Sequence, residues 1–252
     1  MAGALEQALL EVLDEPVTVT GASRTDAGVH ALGQVASVRI AAPVPAERLP
    51  RALNARLPSG VAVRAAEEVD GDFHARFDAT GKVYRYHIAT GEARGALVDR
   101  YAWHCPYELD LDRMRAGAAH LLGEHDFRGF ERQADADEPS VRCVRRVEMI
   151  EGLSLVCLGP GAPPGVLAVE IEGDAFVWNM VRNVAGTLVE VGRGKRAPED
   201  VARIVREQDR PLAGPTLPAR GLVLVRVLYD GERRRRGATT RPARQQLTET
   251  KR

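Results

Sequence analysis

Between Gly21 and Gln34 the chain reads Gly-Ala-Ser-Arg24-Thr25-Asp26-Ala-Gly28-Val-His30-Ala-Leu-Gly33-Gln34, its densest run of chemically capable residues. Glycines at 21, 28 and 33 permit tight backbone turns. Arg24 and Asp26 stand two apart, so one loop offers a cation and a carboxylate together. An Asp on a turn commonly caps or shapes it. The sharper reading makes Asp26 a positioned nucleophile or base. His30 admits acid–base hydrolysis with Asp26, but that needs a third group to orient the imidazole, and the sequence offers none.

Three further segments carry chemistry. In Phe73-His-Ala-Arg76-Phe77-Asp-Ala-Thr-Gly-Lys82-Val-Tyr84-Arg85-Tyr86 aromatics alternate with cations. That pattern suits stacking on an unpaired base and holding its backbone, and equally a strand with tyrosines inward and arginines in solvent. In Phe176-Val-Trp178-Asn179-Met180-Val-Arg182-Asn183, Arg182 lies beside a helical apolar stripe. Such an Arg either snorkels to water or needs a carboxylate partner. Leu217-Pro-Ala-Arg-Gly221-Leu222-Val-Leu224 is a turn into an apolar strand, and by itself reads as core. Gly192-Arg-Gly-Lys195-Arg196 lacks the Gly-Lys-Ser/Thr order of a phosphate loop.

The elements that must position these residues follow from periodicity. Helices are predicted over 4–13 (ended by Pro16), 46–55, 110–122, 176–190 and just after Pro198. Strands are predicted over 17–21, 34–40, 61–69, 82–89, 142–150, 153–158, 166–173 and 222–229, with a turn at 159–165. Strands often follow one another directly, which argues α+β with a largely antiparallel sheet in two similar halves. The expected organisation is an N-terminal α+β half over 1–92 carrying the Asp26 loop, a C-terminal α+β half over 93–230, and a disordered basic tail over 231–252.

Composition narrows the classes. With 252 residues, 44% hydrophobic and 28% charged, the chain can build a sizeable core, and wholesale disorder is excluded. The zero net charge conceals an asymmetry. Residues 231–252 hold eight Lys/Arg against two Glu, leaving 27 basic and 33 acidic groups in the body. Any polyanion contact by the body therefore relies on local patches. Three cysteines make no disulfide framework, and no paired Cys or His spacing suggests zinc. With no apolar run long enough to span a membrane and no leader-like start, a cytoplasmic protein is expected.

Taken together, the motifs resemble those of the TruA family, the tRNA pseudouridine synthases A. Arg24-Thr-Asp-Ala-Gly-Val-His-Ala-Leu-Gly-Gln34 is similar to the family's active-site motif, and Phe73–Phe77 with Lys82–Tyr86 resembles its second. Asn179–Asn183 with Val191–Gly194 resembles the third, Gly221–Leu224 the fourth, and Gly123–Phe127 is another family segment. The likeness runs in order over about residues 2–230. It implies the pseudouridine synthase fold, α+β, with two ferredoxin-like halves forming a largely antiparallel sheet flanked by helices. It also implies a homodimer that needs no cofactor and no metal, and that isomerises uridine to pseudouridine at positions 38, 39 and 40 of the tRNA anticodon stem-loop.

Carried over by motif, Asp26 is the nucleophile and Arg182 its counter-charge. Tyr84 stacks on the target uracil, with help in removing the C5 proton as a further role. Leu222 packs against the base, and Arg24 takes the flipped nucleotide's place in the stem. Arg76 and Lys82 hold phosphates. Asp26 attack on C6, attack on C1′ and removal of the 2′ proton all remain open.

Two departures from the family's pattern set further expectations. The family begins with a strand carrying Tyr-Asp-Gly and Gly-Trp-Gln segments ahead of the first helix, whereas Met1-Ala-Gly stands here where that helix starts. The first half is expected to lack that strand, from a late start or a truncated chain. The alternative to an active synthase is then a catalytically impaired RNA-binding homologue. The segment 131–144 holds four acidic residues, where the family's loop is more neutral.

Overall fold

The computed structural model describes residues 1–132, 140–153 and 166–230. The acidic part of the 131–144 loop, nearly all of the strand expected at 153–158, Cys157, the 159–165 turn and the basic tail lie outside the described residues. In chain order the elements are α1 (Ala2–Leu13), β1 (Val19–Gly21), β2 (His30–Ala31), β3 (Ala36–Val38), α2 (Leu49–Asn54), β4 (Ala79–Thr90), β5 (Trp103–Cys105), α3 (Leu111–Ala119), β6 (Gly123–Asp126), β7 (Val141–Leu153), β8 (Val166–Gly173), α4 (Met180–Gly192), α5 (Glu199–Glu207) and β9 (Leu222–Tyr229). The described residues pack as two compact units, one of Met1–Ser23, Val35–Ala79 and residues 229–230, the other of Arg24–Gln34 and the described part of Thr80–Leu228.

In the first unit α1 buries Ala8 and Leu9 beside Leu49 and Leu53 of α2, with Val19, Val38, Ile40 and Val63 around them. Each fully buried Leu is worth about 1.5–3 kcal/mol. The helix stops at Asp14, whose left-handed backbone (φ 55°) returns its N–H to the Leu10 carbonyl. β1 and β3 pair antiparallel, Gly21 opposite Ala36. The strand expected over 61–69 is absent. The Asn54 side chain takes both backbone groups of Val63, accepting from its N–H at 2.7 Å and donating to its carbonyl at 2.8 Å. A ladder neighbour would otherwise use those two groups.

The second unit is built on a mixed sheet of order β2-β9-β4-β8-β7-β6, with β5 beside β4. β4–β8, β7–β8 and β6–β7 are antiparallel, whereas β2–β9 and β4–β5 are parallel. Along β4 the side chains alternate as the sequence predicts. Tyr84, Tyr86 and Ile88 enter the core with Val169 and Ile171 of β8, Leu222 and Leu224 of β9, and Met180, Val184 and Leu188 of α4. Arg85 pairs across the sheet with Glu170, which also receives Arg146. This is the expected α+β class, with parallel pairings the sequence did not announce.

The helix expected over 176–190 begins four residues later, at Met180. Asn179 sits at φ 63°, a left-handed conformation no α-helix can run through. Phe176 is thereby released to meet Tyr84 edge-on, ring centroids 5.1 Å apart. The helix expected over 110–122 ends at Ala119, because Gly123 (φ 97°) turns the chain into β6. Among the described residues no helix is long and apolar enough to cross a membrane.

Candidate active site

The Arg24–Gln34 loop is shaped by its own turn. The Val29 N–H returns to the Asp26 carbonyl at 3.0 Å, and Gly28 supplies the positive φ (83°) at the third turn position. The chain then forms β2, where His30 lies opposite Val223 and Ala31 opposite Leu224. A Cβ on Gly28 would touch Ala219 at 3.4 Å, so the loop packs on the turn that leads into β9. Asp26 is thus held near the β9 end of the sheet with its carboxylate 46% exposed.

Arg182, on the first turn of α4, approaches that carboxylate, Nη1 to Oδ2 3.7 Å. Its side chain is only 16% exposed, so a cation there needs more than one partner. Two are supplied. Nε donates to the Leu217 carbonyl at 2.7 Å, and Nη1 donates to Oδ1 of Asn179 at 2.7 Å. Asn179 is buried, and its left-handed backbone is one that Asn tolerates better than other side chains.

The Leu217–Gly221 turn is pinned from below. The Tyr86 hydroxyl donates to the Pro218 carbonyl at 2.7 Å. Burial pushes that hydroxyl's pKa well up, against the pull of the Arg182 and Arg220 guanidiniums. Gly221 lets the backbone lie on the Tyr86 ring, where a Cβ would fall 2.6 Å from Cζ. A second set of bonds fixes the preceding segment. Arg210 donates to the Gly214 carbonyl at 3.0 Å, and to Asn183 Oδ1 and Thr216 Oγ1, each at 3.0 Å.

The sequence-derived candidates are distributed as follows. Asp26 and Arg182 are brought together. Tyr84 and Leu222 are buried in one hydrophobic cluster of the same unit. Arg24 is exposed, two residues from Asp26, and Lys82 is half-buried on β4. Arg76 belongs to the other unit, exposed, with its guanidinium 5.8 Å from the Phe77 ring. His30 donates to the Arg100 carbonyl at 3.0 Å and leans on Tyr101, so it is tied to backbone rather than to a catalytic carboxylate. Sequence reasoning missed Asn179, Tyr86 and the Arg210–Asn183–Thr216 set as supports. Asn179 at the end of an interrupted apolar phase was the one available signal.

The arrangement offers an accessible carboxylate with a fixed cation beside it, while Tyr84 and Leu222 lie in the core of the same unit. Among the described residues no group of three or more His, Cys, Asp or Glu could hold a metal ion.

Residues 2–78 and 118–230 match the family described as tRNA pseudouridine synthase. The chain is 42% identical over 227 residues to the tRNA pseudouridine synthase A of Brevibacillus brevis, spanning 90% of this chain and 88% of that protein. It is 40% identical over 225 residues to the protein of that name from Acetivibrio thermocellus, spanning 89% and 88%. It is 40% identical over 228 residues to that of Bacillus licheniformis, spanning 90% and 88%.

Proposed function

The chain belongs to the tRNA pseudouridine synthase family, and on that premise we propose that it converts uridine to pseudouridine in tRNA, at positions 38, 39 and 40 of the anticodon stem-loop. In this reading it works without a cofactor, as a cytoplasmic homodimer. The observation that carries it is Asp26, solvent-accessible on a turn and faced by a guanidinium locked at two other points.

The glycosidic bond must break and re-form at C5, so the base has to leave the stem and turn. Extrusion costs a few kcal/mol in stacking and pairing. Tyr84 and Leu222 stack and pack on the extruded uracil, and Arg24 fills the vacated place in the stem. Asp26 is the nucleophile, and Arg182 balances its charge as the base detaches. Arg76 and Lys82 hold phosphates, which fix register rather than act on the base.

The test is incubation of the chain and of Asp26→Ala with an unmodified tRNA transcript, followed by primer extension after carbodiimide blocking. Modification in the anticodon stem-loop that vanishes in the variant is expected. A folded protein that modifies nothing, or a variant that still modifies, would end this reading.

A further inference from the structure

Trp178 keeps 43% of its surface in solvent. It is not an isolated exposed ring of the kind every surface carries. The Arg132 guanidinium lies 4.9 Å from its ring centroid, and the Arg132 N–H donates to the Trp178 carbonyl at 3.1 Å. Two chain segments are therefore joined to hold one cation over one indole. Arg132 is exposed. The neighbouring Glu131 is bonded to Ser140, Oγ to Oε2 2.7 Å.

Position adds the second argument. Trp178 immediately precedes Asn179, the residue that fixes Arg182 against Asp26. The indole thus adjoins, along the chain, the amide that positions Arg182. A flat, exposed aromatic under an exposed guanidinium is the combination that single-stranded nucleic acids use, the ring for a base and the cation for its phosphate.

We propose that Trp178 and Arg132 form a stacking platform for an unpaired RNA base adjoining the target uridine. This rests on the tRNA substrate proposed above. Extruding one nucleotide leaves its neighbour without a stacking partner, and the indole replaces it. Because every base has a π-face, the platform is tolerant of sequence and serves any tRNA presented.

The chain has two tryptophans, so Trp103→Phe leaves Trp178 as the sole indole emitter. In that background the emission is titrated with unmodified tRNA transcript, while filter retention gives the binding curve independently and pseudouridine formation is followed in the same samples. The expected result is saturable quenching that tracks the binding curve. Trp178→Ala is expected to raise KM for tRNA roughly 10-fold with kcat changed little, and Trp178→Phe to recover most of the loss. Arg132→Gln, which leaves the ring in place, is expected to raise KM and to lower its salt dependence by about one charge. Silent emission at tRNA concentrations that saturate binding overturns the proposal, as does an unchanged KM in both Trp178→Ala and Arg132→Gln. Emission that responds to dilution of the protein and not to tRNA also overturns it, assigning the ring to a contact between copies. Absence of pseudouridine despite tRNA binding would sink the enzymatic reading alone, since the quenching arm is still read.

Discussion

Nη1 of Arg182 is held by Oδ1 of Asn179 at 2.7 Å, and Asn179 can offer that oxygen only because its own backbone is left-handed, at φ 63°. The same nitrogen stands 3.7 Å from the Asp26 carboxylate, so one buried amide sets the direction from which the cation meets the anion.

Asn179→Ala should therefore lose activity through positioning. A hydrogen bond to a charged group is worth about 1.5–3 kcal/mol, which corresponds to a fall in kcat of about 10- to 100-fold. KM for tRNA should hardly move. Asn179→Gly keeps the left-handed backbone and should show the same kcat loss with less loss of stability. Single-turnover rates and thermal melts on the two variants check this. Equal kcat in Asn179→Gly and the parent would refute it.

Gly221→Ala should harm both stability and turnover. The new methyl would meet the Tyr86 ring at 2.6–2.9 Å, and the ring is buried and bonded to Pro218, so the turn must shift. Overpacking of this kind costs about 1–3 kcal/mol, a drop in Tm of several degrees at this chain length. The shift would carry Leu217 away from Nε of Arg182, so kcat should fall as well. Calorimetry and the primer-extension assay measure the two effects.

His87 should make the fold acid-sensitive. Its Nδ1 donates to the Tyr101 carbonyl at 3.1 Å, while its buried Nε2 has no hydrogen-bond partner among the described residues. Protonating Nε2 would bury a charge, and burial lowers the pKa to about 4. The unfolded chain takes up this proton near pH 6.5 and the folded one only near pH 4, so stability falls as pH drops between those values. The slope contributed is at most about 1.4 kcal/mol per pH unit. Urea midpoints from pH 7 to pH 4 should decline, and less steeply in His87→Gln.

Glu170 sits between Arg85 and Arg146 with an 8% exposed side chain. Glu170→Ala strands Arg85, since Arg146 keeps Glu148 and Glu172, whereas Arg85→Ala leaves Glu170 its second partner. The arginines are partly solvated, so the cost of Glu170→Ala should be about 2 kcal/mol rather than the larger value of a fully buried pair. Arg85→Ala should cost less, and denaturant titration of both variants gives the comparison.

What the sequence revealed and what it hid have physical causes. β4 was legible from the alternation of Tyr84, Tyr86 and Ile88 with Val83, Arg85 and His87, and β9 from its nearly continuous apolar run. The start of α4 was not, because Phe176 keeps helical phase with Met180 although Asn179 breaks the backbone between them. β2 is two residues long, too short for any periodicity, and exists because β9 offers it a parallel edge. Residues 61–69 have strand composition, but a side-chain amide satisfies Val63 first. In the site, apolar phase left Arg182 either snorkelling to water or needing a carboxylate. Only the motif likeness paired it with Asp26, and although Asn179 opens the third motif, neither gave it a role.

Unit membership along the chain has a consequence for how the site tolerates damage. Residues 24–34 belong to the second unit, while the strands at their two ends, β1 and β3, belong to the first. The Ala22 N–H meets the Val35 carbonyl at 2.8 Å, so the segment leaves and returns at one point. The loop-closure entropy of presenting Asp26 is therefore paid by the folding of the first unit, whose core is small and centred on Ala8, Leu9, Leu49 and Leu53. Fraying of that core would free the root of the loop, and the carboxylate would spend less time opposite its guanidinium. A core lesion such as Leu53→Ala, on a helix that carries no catalytic group, should read out as a temperature-sensitive enzyme before it reads out as an unfolded one.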